Sequence, residues 1–488
     1  MSLILGAQSA TATAALTIPN SCRFNGSDSK LQKTATSDTP TLATKSTLSF
    51  WIKSCSGTVD PTGSQAVTYT NNAVAPYFQL QWPGQAIAGD HPVPFYQNYV
   101  TGGNTLLYGD QYLRDHSAWR HVCISYDSTP ATPSSTSIKM FINGTQVTAF
   151  QTETYPGQDV ASAMTAASQD YLIGINPTPA NPVNGYLAEF MIVDGQALNA
   201  DSFGQFNSDS PTIWEPIDIT GITLGNQGFH LDFQDSSNLG NDVGGGTDFT
   251  STNLAAIDQT TDTPSNNFCV VNLLDNYYQS STFSEGNCKI VTPGAAVGTF
   301  NTGTIALSAG LWYFEVKVVD SANQNATLGI SDIVTTSTYT GSYLGFKPNS
   351  YAYYGDGRSI TNETYTAYGD SYDDGDVVGV YIDLTANKLY FAKNGTVQNS
   401  GTGISITAVA STANGIYFPA FGDNYTNTTL GVADLEMNFG NPVAALTSAV
   451  SDANGYGNFE YDPSAGTFDG SSKDFLAICT QNLGSDGG

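Results

Sequence analysis

Basic side chains are scarce in this chain: 15 Lys and Arg stand against 43 Asp and Glu, a formal net charge of −28. Nucleic acid is held by clustered cations that displace counterions from phosphate, so this balance excludes it as a partner. The acidic excess reads as solubility rather than as a functional patch. Long apolar runs are missing as well. With no stretch of about 18 or more apolar residues, no helix of this sequence can cross a bilayer, and membrane insertion is not expected. The opening Met1-Ser-Leu-Ile-Leu-Gly6 has neither a basic leader nor a sustained hydrophobic run, so a classical secretion signal is not read there.

Groups that carry catalysis are equally thin. The four histidines are His91, His116, His121 and His230, with no His-Glu-x-x-His helix, no Gly-Lys-Ser/Thr phosphate loop and no Gly-x-Ser-x-Gly elbow. His121 is expected to pack within its strand. The six cysteines (Cys22, Cys55, Cys123, Cys269, Cys288 and Cys479) form no Cys-x-x-Cys pair and no Cys/His cluster, which excludes a zinc site. Cys123 lies in an alternating apolar run and reads as a small core residue. Spacing leaves a Cys269–Cys288 bridge open, but reduced thiols are the expectation.

What the chain does have is glycine (49), tyrosine (27) and phenylalanine (24), with only 12% charged residues, over a length of 488 that allows more than one core. That mixture predicts short strands joined by polar turns. Strand signals include Leu48-Ser-Phe-Trp-Ile-Lys53, Trp119-Arg-His-Val-Cys-Ile-Ser-Tyr-Asp127 with Val122, Ile124 and Tyr126 on one face, and Gly185-Tyr-Leu-Ala-Glu-Phe-Met-Ile-Val-Asp194. Asn143-Gly144 predicts a tight hairpin, because both residues tolerate positive φ. A Gly-rich run, Gly240-Asn-Asp-Val-Gly-Gly-Gly-Thr-Asp248, reads as a connector beside one strand at Gly228–Phe233.

The order of these segments over residues 1–205 resembles the laminin-G/concanavalin A-like lectin family. Over residues 266–442, Leu311-Trp-Tyr-Phe-Glu-Val316, Gly375-Asp-Val-Val-Gly379 and Phe391-Ala-Lys-Asn-Gly395 resemble the SPRY (B30.2-like) family. The resemblance implies an all-β chain of two concanavalin-like jelly-roll β-sandwiches in tandem. A β-containing connector spans 206–265 and a short tail 443–488, with the tail expected to dock on a neighbour. Together with the Asp262-Thr-Pro-Ser-Asn-Asn-Phe-Cys269 run, the arrangement looks like fibre-type proteins of marine tailed phages.

That resemblance implies a non-enzymatic virion adhesin, a fibre, spike or capsid-decorating protein that binds a host surface glycan or receptor. It would be assembled in the host cytoplasm, displayed on the virion surface, and repeated in a homo-oligomer, a trimer being one form, to raise avidity. The alternative is a structural virion protein that cements other virion proteins. A glycoside hydrolase ranks third: related glucanases carry Glu-x-Asp-x-x-Glu, whereas Glu189 is followed by Phe190-Met191-Ile192, so a structural role is expected for it.

Sugar sites pair an aromatic platform with polar loop groups. The expected ligand-binding residues are Tyr351, Tyr353, Asp356 and Arg358, with a second group at Trp82, His91 and Tyr96. In an extended segment Tyr351 and Tyr353 share one face and Tyr354 takes the other; these rings either form a platform or fill the sandwich. No cofactor is required. Asp373, Asp374 and Asp376 are candidate calcium ligands, though their spacing is not that of an EF-hand, and the alternative is a plain turn before a core strand.

Overall fold

The computed structural model describes residues 16–34, 38–55, 65–70, 76–82, 95–100, 103–111, 115–178, 181–276, 281–293, 298–333, 343–424 and 432–484. The chain divides into two compact units between Ser265 and Asn266. Both are β-sandwiches, as the sequence predicts.

In the first unit one sheet runs, in spatial order, Thr145–Gln146, Ile138–Ile142, Arg120–Asp127, Lys45–Ser54, Asn184–Asp194, Ser21–Asn25 and Gln259–Thr260, with Phe229–Leu231 also paired to Asn184–Asp194. The other runs Phe150–Thr154, Gly103–Gly109, Phe95–Val100, Tyr77–Gln81, Ala66–Thr70, Tyr171–Ile173, Lys30–Lys33 and Thr250–Thr252. Period-two alternation sends Leu48, Phe50, Ile52, Val122, Ile124 and Tyr126 from one sheet, and Phe78, Leu80 and Leu107 from the other, into a shared core. The predicted hairpin forms at Asn143 and Gly144, with φ of +46° and +74°. The Trp214 ring lies over it, so that a Cβ on Gly144 would stand 2.2 Å from the indole.

Residues 206–265 differ from the expected connector. They supply Phe229–Leu231 and Gln259–Thr260 to one sheet and Thr250–Thr252 to the other, and bury Phe229, Leu231, Phe233, Leu239 and Phe249 in the core. Ion pairs fasten the segment, Lys33 to Asp242 at 3.5 Å among them. Lys53 Nζ meets Asp262 Oδ2 at 2.7 Å with both side chains fully buried, and Arg23 meets Asp258 at 3.2 Å. Trp119 Nε1 also donates to Asp262, at 2.9 Å, which supplies the extra hydrogen bonding that a buried carboxylate requires.

In the second unit Leu311–Ser321 sits centrally, between Val377–Asp383 and Ala433–Asn438. The facing sheet runs Thr299–Thr302, Phe418–Asp423, Ala326–Ser331, Ser350–Tyr354, Arg358–Thr361 and Thr364–Ala367. Trp312, Phe314, Val316, Val380 and Phe391 meet Leu328, Ile330, Tyr351, Tyr353 and Phe421 between the sheets. Asn394 and Gly395 turn a hairpin with φ of +47° and +78°.

The segment after residue 442 is part of this same unit rather than a projecting tail. Leu476–Ala477 pairs in parallel with Trp312–Tyr313, and Phe459, Phe468 and Phe475 pack on Tyr313, Tyr381 and Tyr390, covering the outer face of the sheet. Glu315 pins it. The carboxylate accepts hydrogen bonds from the backbone N–H groups of Glu460 (2.9 Å) and Tyr461 (2.8 Å), from Tyr313 Oη (2.9 Å) and from Asn438 Nδ2 (3.3 Å). Burial pushes the Glu315 carboxyl up to about 7 despite those donors.

The core position of Tyr353 and the burial of Glu315 make two predictions. Tyr353→Ala should lower unfolding free energy by about 3–5 kcal/mol, and Tyr353→Phe by only about 1, in denaturant titration; a surface ring would show neither loss. Because the folded pKa of Glu315 lies above its unfolded value, the folded state binds the extra proton, and that contribution is lost as pH rises from 4.5 to about 7. The stability advantage of wild type over Glu315→Gln should therefore grow by up to roughly 3 kcal/mol on acidification across that window. A difference that is flat with pH would contradict the assignment.

Candidate functional site

Two clusters of side chains were expected to bind ligand, and in each the aromatic rings named face the core while neighbouring residues face outward. Tyr351 and Tyr353 are 5% and 0% exposed. Tyr353 is enclosed by Phe391, Tyr372 and Tyr368 at ring-centroid distances of 5.0, 5.1 and 5.6 Å, and its hydroxyl donates to the Asp370 carbonyl. A stacking platform needs a ring face open to solvent, and these two have none. Tyr354, on the opposite side, is half-buried; the Arg358 guanidinium lies 5.6 Å from its centroid and 4.5 Å from that of Tyr365. Asp356 orients that guanidinium, accepting from Arg358 Nε at 2.6 Å. Asp356 and Arg358 thus stay at the surface with Tyr354 and Tyr365 rather than with the predicted tyrosines.

The same shift by one residue applies in the first unit. Trp82 and Tyr96 are fully buried in the core, so neither can contact a ligand, and His91 lies outside the described residues. Their alternate neighbours face outward. Tyr77 and Tyr99 stack at 5.2 Å with their planes 22° apart. Gln79 Nε2 donates to Gln97 Oε1, Gln97 Nε2 donates to Asn104 Oδ1 at 3.2 Å, and Gln81 Nε2 donates to Tyr69 Oη at 2.7 Å. Five neighbouring strands, Gly103–Gly109, Phe95–Val100, Tyr77–Gln81, Ala66–Thr70 and Tyr171–Ile173, contain no Asp, Glu, Lys, Arg or His at all. Gln81 and Tyr69 are themselves buried, while Tyr77, Gln79, Gln97, Tyr99 and Asn104 reach the surface and make it locally neutral in a chain of net charge −28. The signal was present in the sequence as Tyr-x-Gln-x-Gln alternating with Phe-x-Leu-x-Trp.

The acidic loop is committed to the fold. Ser321 donates to Asp373 through its hydroxyl and to Asp374 through its backbone N–H, while Asp376 accepts from Asn394 Nδ2 at 2.7 Å and pairs with Lys393 at 3.1 Å. These partners occupy the three carboxylates as a turn before Val377–Asp383, and among the described residues no group of His, Cys, Asp or Glu is placed to hold a metal ion. The calcium reading of Asp373, Asp374 and Asp376 gives way to the structural one.

A third feature was not foreseen. On one edge, Asn184–Asp194 pairs first with Ser21–Asn25 and then with Phe229–Leu231, and between the two partners the strand bulges at Glu189, whose φ is +47°. Glu189 Oε2 lies 2.6 Å from His230 Nε2, both side chains being about 15% exposed. The pair opens onto a cleft of about 630 Å³ whose lining includes Ser49, Trp51, His121, Met191 and Phe203. His121 does pack within its strand, as expected: burial pushes its imidazole down to about 3, and it shares a 2.8 Å hydrogen bond with Ser49 Oγ. Among the described residues its Nδ1 has no hydrogen-bond partner. Leu187 and Phe190, three apart yet both in the core, are the sequence mark of this bulge.

Comparison with known proteins agrees with the two-unit division. A 120-residue stretch is 31% identical to Ran-binding protein 9 of Xenopus tropicalis, covering 23% of this chain and 22% of that protein. A 114-residue stretch is 32% identical to the dual specificity protein kinase splA of Dictyostelium discoideum, covering 23% of this chain and 4% of that one. The chain thus spans under a quarter of the length of these curated relatives. Among solved structures, the SPRY domain of human HERC1 aligns at 13% identity over 34% of this chain and 96% of that domain, with a TM-score of 0.26. Residues 25–202 match the concanavalin A-like lectin/glucanases superfamily and residues 311–434 match the SPRY domain, so the chain joins a lectin-like region to a SPRY region.

Proposed function

We propose that this chain is a non-enzymatic binding protein whose first unit holds a neutral glycan across the outer face of the sheet containing Tyr77–Gln81 and Phe95–Val100. One observation carries the reading: five adjacent strands contain no Asp, Glu, Lys, Arg or His, and three of them, Tyr77–Gln81, Phe95–Val100 and Gly103–Gly109, bring amides and the stacked Tyr77 and Tyr99 to the surface. Sugar hydroxyls pair with amide donors and acceptors, and the apolar sugar face packs on phenol rings. Cleavage by the usual glycosidase route needs two carboxyl groups flanking the scissile bond, and these five strands supply none.

The setting we propose is the surface of a virion, where the chain acts as an adhesin in several copies. Six cysteines buried as thiols rather than disulfides support folding in a reducing cytoplasm before display. The second unit favours a protein contact, because Arg358 lying near the rings of both Tyr354 and Tyr365 is the kind of aromatic and arginine cluster that dominates protein interfaces. Immunogold labelling of purified particles checks the setting; particles that never bind the antibody refute it.

Affinity electrophoresis of the full chain in gels containing dextran, laminarin, galactomannan or xyloglucan, with alginate as the charged control, tests the glycan reading. Retardation by a neutral polymer should persist from low to high salt, since no ion pair is involved. Gln97→Ala and Tyr99→Ala should each weaken it by about 5- to 10-fold, the value of one hydrogen bond or one stacking contact. Retardation by alginate alone, or by none of the polymers, would overturn the proposal.

A further inference from the structure

The cleft at Glu189 lies on the other sheet of the first unit and has the opposite chemistry to the neutral face. Its lining carries three carboxylates, Glu189, Asp218 and Asp232, and no Lys or Arg. Hydrogen bonds from the Thr220 backbone N–H and hydroxyl hold Asp218 below the usual carboxylate range, so it is charged at neutral pH. The walls also carry the polar Ser49, His121, His230 and Gln234, beside an apolar set of Trp51, Met191, Phe203, Ile219, Ile222 and Leu224. At about 630 Å³ the space falls among ligand-binding cavities, which run roughly 300–1,000 Å³.

Two features show that the cleft is more than a packing defect. Glu189 adopts φ +47° although a non-glycine side chain is disfavoured there, and the bulge that imposes this turns its carboxylate toward His230 and the cleft. Behind it, wholly buried His121 lines the cleft with an Nδ1 that has no hydrogen-bond partner. A purely apolar occupant would strip water from the carboxylates and add no donor beyond the His230 contact that Glu189 already has, and an anion would meet three like charges. An ammonium group satisfies the carboxylates by charge-assisted hydrogen bonds while its hydrocarbon body covers the apolar walls.

We propose that this cleft is a second binding site, independent of the glycan face, for a cationic amphiphile: an alkyl- or arylammonium group with Glu189 as its principal counter-charge. Titration calorimetry of the full chain with n-hexylammonium, hexanol and hexanoate tests it. Hexylammonium should bind saturably, hexanol at least 10-fold more weakly and hexanoate not measurably. Glu189→Gln should erase the preference of ammonium over alcohol. Glu189→Gly removes the carboxylate while permitting the positive φ, so it should keep the thermal midpoint within a few degrees and still lose hexylammonium binding. Equal binding of alcohol or carboxylate, no saturable ammonium binding to wild type, or retained preference in the folded glycine variant would each overturn the site. Glycan retardation measured on the same variants should be unchanged, which separates this outcome from that of the neutral face.

Discussion

Successive residues of a strand must point to opposite sides of its sheet, and almost everything in both units follows from which set of residues the core claims. Once Phe78, Leu80 and Trp82 are buried, Tyr77, Gln79 and Gln81 have no choice but to face away; once Tyr351 and Tyr353 fill the second core, Tyr354 is sent outward with Arg358. Hydrophobic burial decides the assignment, because the apolar set gains most from leaving water, at about 25 cal/mol per Å². The outward set is what remains for recognition.

This constraint also explains how far the sequence could be read. The Asn143-Gly144 and Asn394-Gly395 turns were legible because few residues accept φ near +46° and +74° in succession. Alternation in Val122, Ile124 and Tyr126 identified a strand whose inner face is the one expected, although His121, Cys123 and Ser125 on its other side are buried as well. The site residues were harder, since tyrosine is at home in a core as well as at a surface. Tyr351 and Tyr354 have the same composition signal, and only the partner sheet distinguishes them. Residues 206–265 were misread for another reason: Gly244, Gly245 and Gly246 are flexible in composition, yet the strands on either side are anchored by long-range pairs such as Lys53–Asp262 that leave no local trace.

Charge is distributed by the same logic. The chain is strongly acidic, and two of its buried carboxylates are well supported: Asp262 by Lys53 and Trp119, Glu315 by four donors. Both serve to hold a later segment of chain against a central strand. Other carboxylates, Asp194, Asp275 and Asp452 among them, are buried too, and the five strands that hold Tyr77 and Tyr99 between them carry no acid of the Asp or Glu type. Separate neutral and acidic surfaces on one sandwich allow chemically different ligands to be held without competition.

The aromatic layer of Phe459, Phe468 and Phe475 over Tyr313, Tyr381 and Tyr390 bears on where the second unit can be cut. The segment that matches the SPRY domain stops at residue 434, well short of those phenylalanines, and begins after the strands Thr282–Ser284, Lys289–Val291 and Thr299–Thr302. A fragment trimmed to that match would present a greasy tyrosine sheet to solvent and an incomplete hydrogen-bonded edge, the combination that drives sticky self-association. A piece of this half that keeps those contacts therefore has to include Thr282–Ser284 and run past Leu476–Ala477, and homology boundaries are a poor guide to expressing it.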